Sequence, residues 1–411
     1  MRTTSTSQRG AGATTIDVER ARAQTPGCAE VTHLNNAGAS LMPTPVLEAV
    51  IDHLRLEARI GGYEASDAAQ ERREATYGAI ARLISCTDDE VAVVENATRA
   101  WDMAFYAIDF RPGDRILTTS AEYGSNFLAY LQVARRTGAT VEVVPDDDGG
   151  QLSIPALERL LDDRVKLVSV THVPTNGGLV NPAEAIGAVV RESPALFLLD
   201  ACQSAGQLPL DVDRIGCDLL TVTGRKFLRG PRGTGFLYAR RDTTAHLEPP
   251  FLDVLAAHWD AADRYTVRPD ARRFETWESS RASTIGLGVA VEYALDVGIE
   301  AIAGRNAVLA RRLRELLGAI PGVQVLDLGP EPCAIVSFLV AGVAADAVRG
   351  ALASNAVNVS VSRAEDTRID MERRGFDEWV RASVHYFNTE RELETLARVV
   401  AALAHSGVTD R

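Results

Sequence analysis

Residues 218–238 read DLLTVTGRKFLRGPRGTGFLY: an apolar run from Leu219 to Val222, a break at Thr223-Gly224, Lys226, a glycine-rich turn, and a second apolar run from Gly235. Two short apolar, β-branched runs separated by glycines predict a strand, a turn and another strand. Lys226 therefore lies just past a strand's carboxyl end. Among 43 basic residues, Lys166 and Lys226 are the two lysines. Arginine stays protonated and forms no imine, whereas a lysine of depressed pKa can attack a carbonyl carbon. Lys166, in DDRVKLVSV beside an acidic pair, reads as a solvated strand-edge charge. That leaves Lys226, with a turn lysine that merely neighbours glycines as the plain alternative.

Upstream of this stretch the pattern alternates. DRILTTS, TVEVVPD, VKLVSVTHV, ALFLLD and DLLTVT read as strands, with SNFLAYLQVARRTG, IPALERLLDD and AEAIGAVVRES between them as helices. Such alternation predicts an α/β fold: right-handed βαβ units, a mostly parallel sheet and helices on both faces. Functional groups in these sheets gather at the carboxyl ends of strands. Glu122-Tyr123, His172 to Asn176, Asp200 to Gln203 and Thr223 to Lys226 are thus expected to converge. Asp200 ends the apolar run LFLLD, and a carboxylate there is costly to bury unless it faces a cation. The protonated ring nitrogen of pyridoxal phosphate is such a cation; a cap on the following turn is the other reading. Asn96-Ala97-Thr98 joins a short strand to a helix, where backbone N–H groups suit a phosphate and equally suit ordinary capping.

The remainder bounds the problem. A chain of 411 residues is expected to divide: a disordered lead-in over 1–27, a large domain over 28–285 with an N-terminal helical segment, and a small α+β domain over 286–411. Helices are predicted over Val46–Ile60 and Ala68–Leu83, with GGYEAS between them as a loop presenting Tyr63 and Glu64. Residues 240–285 read as irregular, and Thr389-Glu390-Arg391-Glu392 as a capping box. The net charge of −13 argues against nucleic-acid binding. No stretch reaches the ~20 apolar residues of a membrane helix. Five scattered cysteines point to a reduced, cytoplasmic protein, and seven histidines without ligand spacing give no metal site. Arg381, inside the apolar WVRASVHYF, suits a substrate carboxylate or a surface edge.

Taken together, LNNAG, NATRA, AEYGSN, HVPTNGGLVNP, LDACQSAGQLPLDV, TGRKFLRGPRGTGFLY, RFETWESS and RASVHYFNT resemble the class V aminotransferase and cysteine desulfurase family of fold-type I pyridoxal-phosphate enzymes, over nearly the whole chain. The resemblance implies that Lys226 forms the imine with the cofactor and moves the substrate's α-proton. Asp200 would pair with the ring nitrogen, Gln203 with the phenolic oxygen, and Ala97, Thr98 and Thr223 would hold phosphate. Arg381 would clamp an α-carboxylate, with Asn36 also against substrate. It further implies a homodimer, with the 273–281 segment reaching across.

Three departures accompany it. Tyr123 stands where the family commonly stacks histidine, and Arg225 where a histidine commonly precedes the lysine. At the family's asparagine position stands Thr175, with Asn176 one place later, so either side chain can meet the ring oxygen. Cysteine desulfurases of this kind also carry a nucleophilic cysteine before the carboxylate-binding arginine. Residues 358–383 contain none. GGYEA, HVPTNGG and GRKFLRGPRG look most like the branch of isopenicillin N epimerase-like proteins, ergothioneine C–S lyases and lincosamide-pathway enzymes. A C–S lyase acting on an S-substituted cysteine is therefore expected. Decarboxylation-coupled oxidative deamination, epimerisation, transamination and cofactor binding for regulation are the rivals.

Overall fold

The computed structural model describes residues 16–409. The large sheet has seven strands: β1 (Val91–Val94), β2 (Arg115–Thr118), β3 (Thr140–Val143), β4 (Val165–Thr171), β5 (Leu196–Asp200), β6 (Leu219–Thr223) and β7 (Gly235–Ala239). Their spatial order is β1-β7-β6-β5-β4-β2-β3. β2 to β6 run parallel, and β7 is antiparallel to both neighbours.

Alternate residues of the central strands feed two cores. Leu167, Leu198 and Leu219 pack with Trp101, Phe105 and Tyr130 on one side. Val168, Phe197, Leu199 and Leu220 pack with Ile186, Val190 and Ile215 on the other. Burial on both faces explains why these strands read as continuous apolar runs. Thr171, Asp200 and Thr221 lie in register across β4, β5 and β6, which brings their carboxyl ends to one level.

A second, antiparallel sheet holds β8 (Val323–Val325), β9 (Ile335–Val340), β10 (Ser360–Arg363) and β11 (Glu378–Ser383) in the order β8-β9-β11-β10. Leu309, Leu313, Val348, Leu352, Leu393 and Val400 cover it from helices Ile299–Gly318, Ala345–Ala353 and Glu390–Thr409. The final helix opens with the expected capping box: Thr389 N–H donates to Glu392 Oε2 at 2.8 Å, and Glu392 N–H to Thr389 Oγ1 at 3.4 Å.

Several expectations need correction. The expected lead-in falls outside the described residues over 1–15, but Val18–Ala23 is helical and both Ala21 and Thr25 are buried. GGYEAS is not a loop: after Gly61, at φ 101°, the chain re-enters a helix over Gly62–Ala68 and the next runs over Gln70–Ile84. Residues 240–285 include an antiparallel hairpin, Ala257–Ala261 with Arg264–Val267. A division at 285 would cut the continuous helix Arg281–Val297, whose Leu287, Val291 and Ala294 belong to a core of the large sheet. The small domain also recruits the N-terminal segment, since Thr32–His33 pairs with Val357–Asn358 and Leu34 and Ala37 are buried in its core.

Candidate active site

At the carboxyl ends of β4, β5 and β6 lies a cavity of about 600 Å³. Its wall contains Ala97, Thr98, Tyr123, Thr175, Asp200, Gln203, Thr223, Arg225 and Lys226, so most of the residues singled out from sequence share one space. Lys166, by contrast, is exposed on β4.

Lys226 sits on a loop that the fold holds tightly. Gly224 N–H donates to Thr234 O at 2.9 Å, Gly230 N–H to Gly224 O at 2.8 Å, and Arg229 N–H to Lys226 O at 2.9 Å. Arg229 takes a left-handed φ of 61°. Its guanidinium binds Leu41 O and the hydroxyls of Thr25 and Tyr386, pinning the lysine loop to the N-terminal segment and the small domain. Gly206 (φ 88°) lets the turn after Asp200 touch this loop, because a Cβ there would meet the Phe227 and Leu228 backbone at 2.6 Å. Desolvation lowers the Lys226 ammonium to a pKa of about 8; attraction to Asp200 opposes the shift, and repulsion from Arg225 and Arg381 adds to it. A fraction of this amine is therefore neutral and nucleophilic near neutrality.

The acidic side is a network. Asp200 accepts from Asn126 Nδ2 at 3.0 Å and from Cys202 N–H at 2.9 Å. Asn126 Nδ2 also donates to Glu122 Oε1 at 3.0 Å, so one amide bridges two buried carboxylates. Glu122 further accepts from Thr118 Oγ1, Tyr123 N–H and Thr171 Oγ1. Burial raises Glu122 to a pKa of about 7 against those hydrogen bonds, and the Asp200 charge raises it further. Asn126 was missed in the sequence: it lies in the first turn of helix Gly124–Thr137 while Glu122 precedes that helix, so no helical spacing links the two.

Arg381, buried, donates through Nη1 to Thr175 O at 2.6 Å and Thr175 Oγ1 at 2.9 Å, while its Nε has no partner. Desolvation lowers it to a pKa of about 10. Gln203 Nε2 donates to Ala37 O at 3.1 Å and Thr175 Oγ1 at 3.2 Å, and its Oε1 is buried and unpaired. Asn96 caps helix Ala97–Phe105 by accepting from Arg99 N–H at 2.9 Å, so ordinary capping holds for Asn96 while Thr98 faces the cavity.

Two expected residues point elsewhere. Asn176 is buried with Nδ2 on Asp370 Oδ2 at 2.8 Å, which decides between it and Thr175 for the cavity wall. Asn36 is consumed by structure, donating to Ser383 O at 2.8 Å and accepting from Ser40 Oγ at 2.7 Å, and it does not line the cavity. Both amides serve chain connections that only the fold reveals. Arg232 lines the cavity without having been singled out for it, and Cys202 lines it as part of the expected 200–203 run. Burial pushes the Cys202 thiol well above the ordinary cysteine range, and Asp200 adds to the effect. Tyr63 and Trp277 are exposed and border a second cavity of about 500 Å³, whose wall includes the buried Glu275.

The cavity fits pyridoxal phosphate. It offers a partly neutral lysine for the aldehyde, a carboxylate with free lone pairs for the ring nitrogen, and a buried unpaired Gln203 oxygen; a helix N-terminus with Thr98 suits phosphate.

Comparison with known proteins agrees. Residues 32–396 match the family described as aminotransferase class-V. A probable cysteine desulfurase of Synechocystis sp. is 31% identical over 389 residues, covering 90% of each chain. The solved cysteine desulfurase of Thermococcus onnurineus superposes with a TM-score of 0.88 at 28% identity, covering 96% of this chain and 99% of that one. The cystine C–S lyase C-DES, solved with its product cysteine persulfide, gives 0.83 at 26% identity over 92% and 99%. The chain belongs to the class-V aminotransferase family of pyridoxal-phosphate enzymes, and its sheets have the fold-type I architecture of those structures.

Proposed function

We propose that this enzyme is a C–S lyase that cleaves an S-substituted cysteine by β-elimination, giving a thiol, pyruvate and ammonia, within the branch that includes ergothioneine C–S lyases. The observation that carries this reading is one cavity holding Lys226 and Asp200 without a reactive thiolate. Residues 358–383 contain no cysteine, and Cys202, in the wall, is held as a neutral thiol. A route by thiolate attack on substrate sulfur lacks its nucleophile.

Bound pyridoxal phosphate supplies an electron sink for the carbanion left when the α-proton departs. Asp200 would keep the ring nitrogen protonated. Thr98, Thr223 and the backbone at Ala97 would hold the phosphate with Arg225, and Tyr123 would lie against the ring. Gln203 and Thr175 would serve the phenolic oxygen. Arg381 orients the substrate carboxylate through its free guanidinium edge. Lys226 Nζ takes the α-proton, the C–S bond breaks with its electron pair leaving on sulfur, and water hydrolyses the released aminoacrylate to pyruvate and ammonia. The protein works as a cytoplasmic homodimer, a reading supported by its five unpaired cysteines and by exposed Tyr63, Trp259 and Trp277.

The test incubates the reconstituted enzyme with a panel of S-substituted cysteines. Thiol and pyruvate are expected in equal amounts, both lost in Lys226→Ala together with the ~420 nm band of the lysine–cofactor linkage. Carbon dioxide release with oxygen uptake, or transfer of sulfur from free cysteine to a protein cysteine, overturns the reading.

A further inference from the structure

Several arginines of this protein satisfy their guanidiniums within the fold. Arg314 binds Asp327 and two carbonyls, and Arg363 binds Asp346 and Glu378. In the cavity the pattern reverses: among the described residues, no carboxylate lies within ion-pair distance of Arg225, Arg232 or Arg381. Arg225 has one contact, to Gly38 O, and Arg381 has Thr175. Arg232 has no hydrogen-bond partner at all among those residues, although its loop is fixed on either side by the Gly224–Gly230 and Gly224–Thr234 bonds and by Thr234 Oγ1 on Pro231 O at 2.7 Å. It is exposed in the cavity wall.

Two anions account for two of these cations. Arg381, buried behind Thr175, serves the α-carboxylate. Arg225, half-buried and adjacent in sequence to Lys226, serves the phosphate together with the Ala97 helix terminus. Arg232, at the exposed mouth, is left over. Its charge also disfavours the protonated state of Arg225, after the larger effect of burial, and both line the one cavity. Like charges in one cavity wall are relieved by a bound anion.

Resting on the C–S lyase reading, we propose that Arg232 is a specificity-determining residue, which recognises an oxyanion carried at the far end of the substrate's sulfur substituent. The substrate class narrows to S-conjugates of cysteine whose substituent ends in a carboxylate or a like anion. A planar guanidinium matches such a group through two parallel hydrogen bonds.

The test compares S-(2-carboxyethyl)cysteine with its isosteric amide, S-(2-carbamoylethyl)cysteine, on the holoenzyme. Turnover is followed as kcat/KM, and binding as the change in cofactor absorbance on titration with the α-methyl forms, which have no α-proton to lose. The carboxylate is expected to bind roughly tenfold tighter than the amide, the scale of one hydrogen bond to a charged group, with the preference shrinking as salt rises. Arg232→Gln erases the preference by weakening the carboxylate form alone, and Arg232→Lys keeps part of it. Equal binding of the two forms, an equal loss for both in Arg232→Gln, or loss of cofactor from that variant on dialysis overturns the inference. Failure of the lyase reading is a separate result: the binding preference persists and no thiol is released.

Discussion

Glu122, Asn126 and Asp200 on one side of the cavity, and Arg225, Arg232 and Arg381 on another, handle charge in contrary ways. Glu122 accepts from three side chains and one backbone N–H, and Asn126 ties it to Asp200. The arginines have few partners, none of them acidic among the described residues. A charge that the protein satisfies is part of the fold, because removing one partner strands another buried group. A charge left open is capacity for a ligand. Asp200 stands between these cases: its two hydrogen bonds leave lone pairs free, so it is anchored by the fold and still available to a ring N–H.

The largest effect should come from breaking that double role. Asp200→Asn retains an oxygen for the Cys202 N–H, removes the charge and replaces the acceptor facing Asn126 Nδ2 with an amide donor. Turnover is expected to fall about 10²–10³-fold, the scale of one preorganised electrostatic group, while cofactor remains bound through Lys226. Steady-state kinetics beside the visible spectrum checks it. A loss smaller than about tenfold would mean that Asp200 belongs wholly to the satisfied side.

The acidic side can be probed without any ligand. Glu122 has a folded pKa of about 7 against an ordinary 4.5, so the folded state holds more protons than the unfolded one across that interval. Its stabilising contribution is therefore complete below pH 4.5 and lost as pH rises towards 7, by roughly 3 kcal/mol in all. Glu275, also raised to about 7 by burial, adds a slope of the same sign. Denaturant unfolding of the cofactor-free protein from pH 4.5 to 7.5 should show stability falling more steeply in the native protein than in Glu122→Gln. Parallel curves would mean that Glu122 stays ionised when folded.

The parallel sheet was legible because its strands are buried on both faces and read as unbroken apolar runs. Lys226 was legible because lysine is so scarce here. Other features depend on contacts between distant segments. Helix Arg281–Val297 escaped because its glycines lower helix propensity, yet Gly288 is there for packing: a Cβ would meet Thr76 Oγ1 at 2.4 Å. The task of Arg229 appears only once residues 25, 41 and 386 surround it. Asn36 and Asn176 carried the right chemistry for the cavity, but their amides are claimed by Ser383 and Asp370, which lie far along the chain.

Thr175 and Asn176 sharpen the same comparison at the smallest scale, since neighbouring residues fall on its two sides. Asn176→Ala leaves Asp370 with the longer Arg374 contact at 3.4 Å and should cost about 1–3 kcal/mol of stability while changing KM by less than about twofold. Thr175→Val keeps the carbonyl that holds Arg381 but removes the hydroxyl shared by Arg381 and Gln203. Valine should therefore raise KM by roughly threefold to tenfold, with the unfolding midpoint moving less than in Asn176→Ala. Unfolding curves and substrate saturation on both variants separate the two effects. If alanine at 176 alters KM while valine at 175 does not, the amide turns into the cavity when substrate binds, and the boundary between satisfied and open groups runs after residue 176.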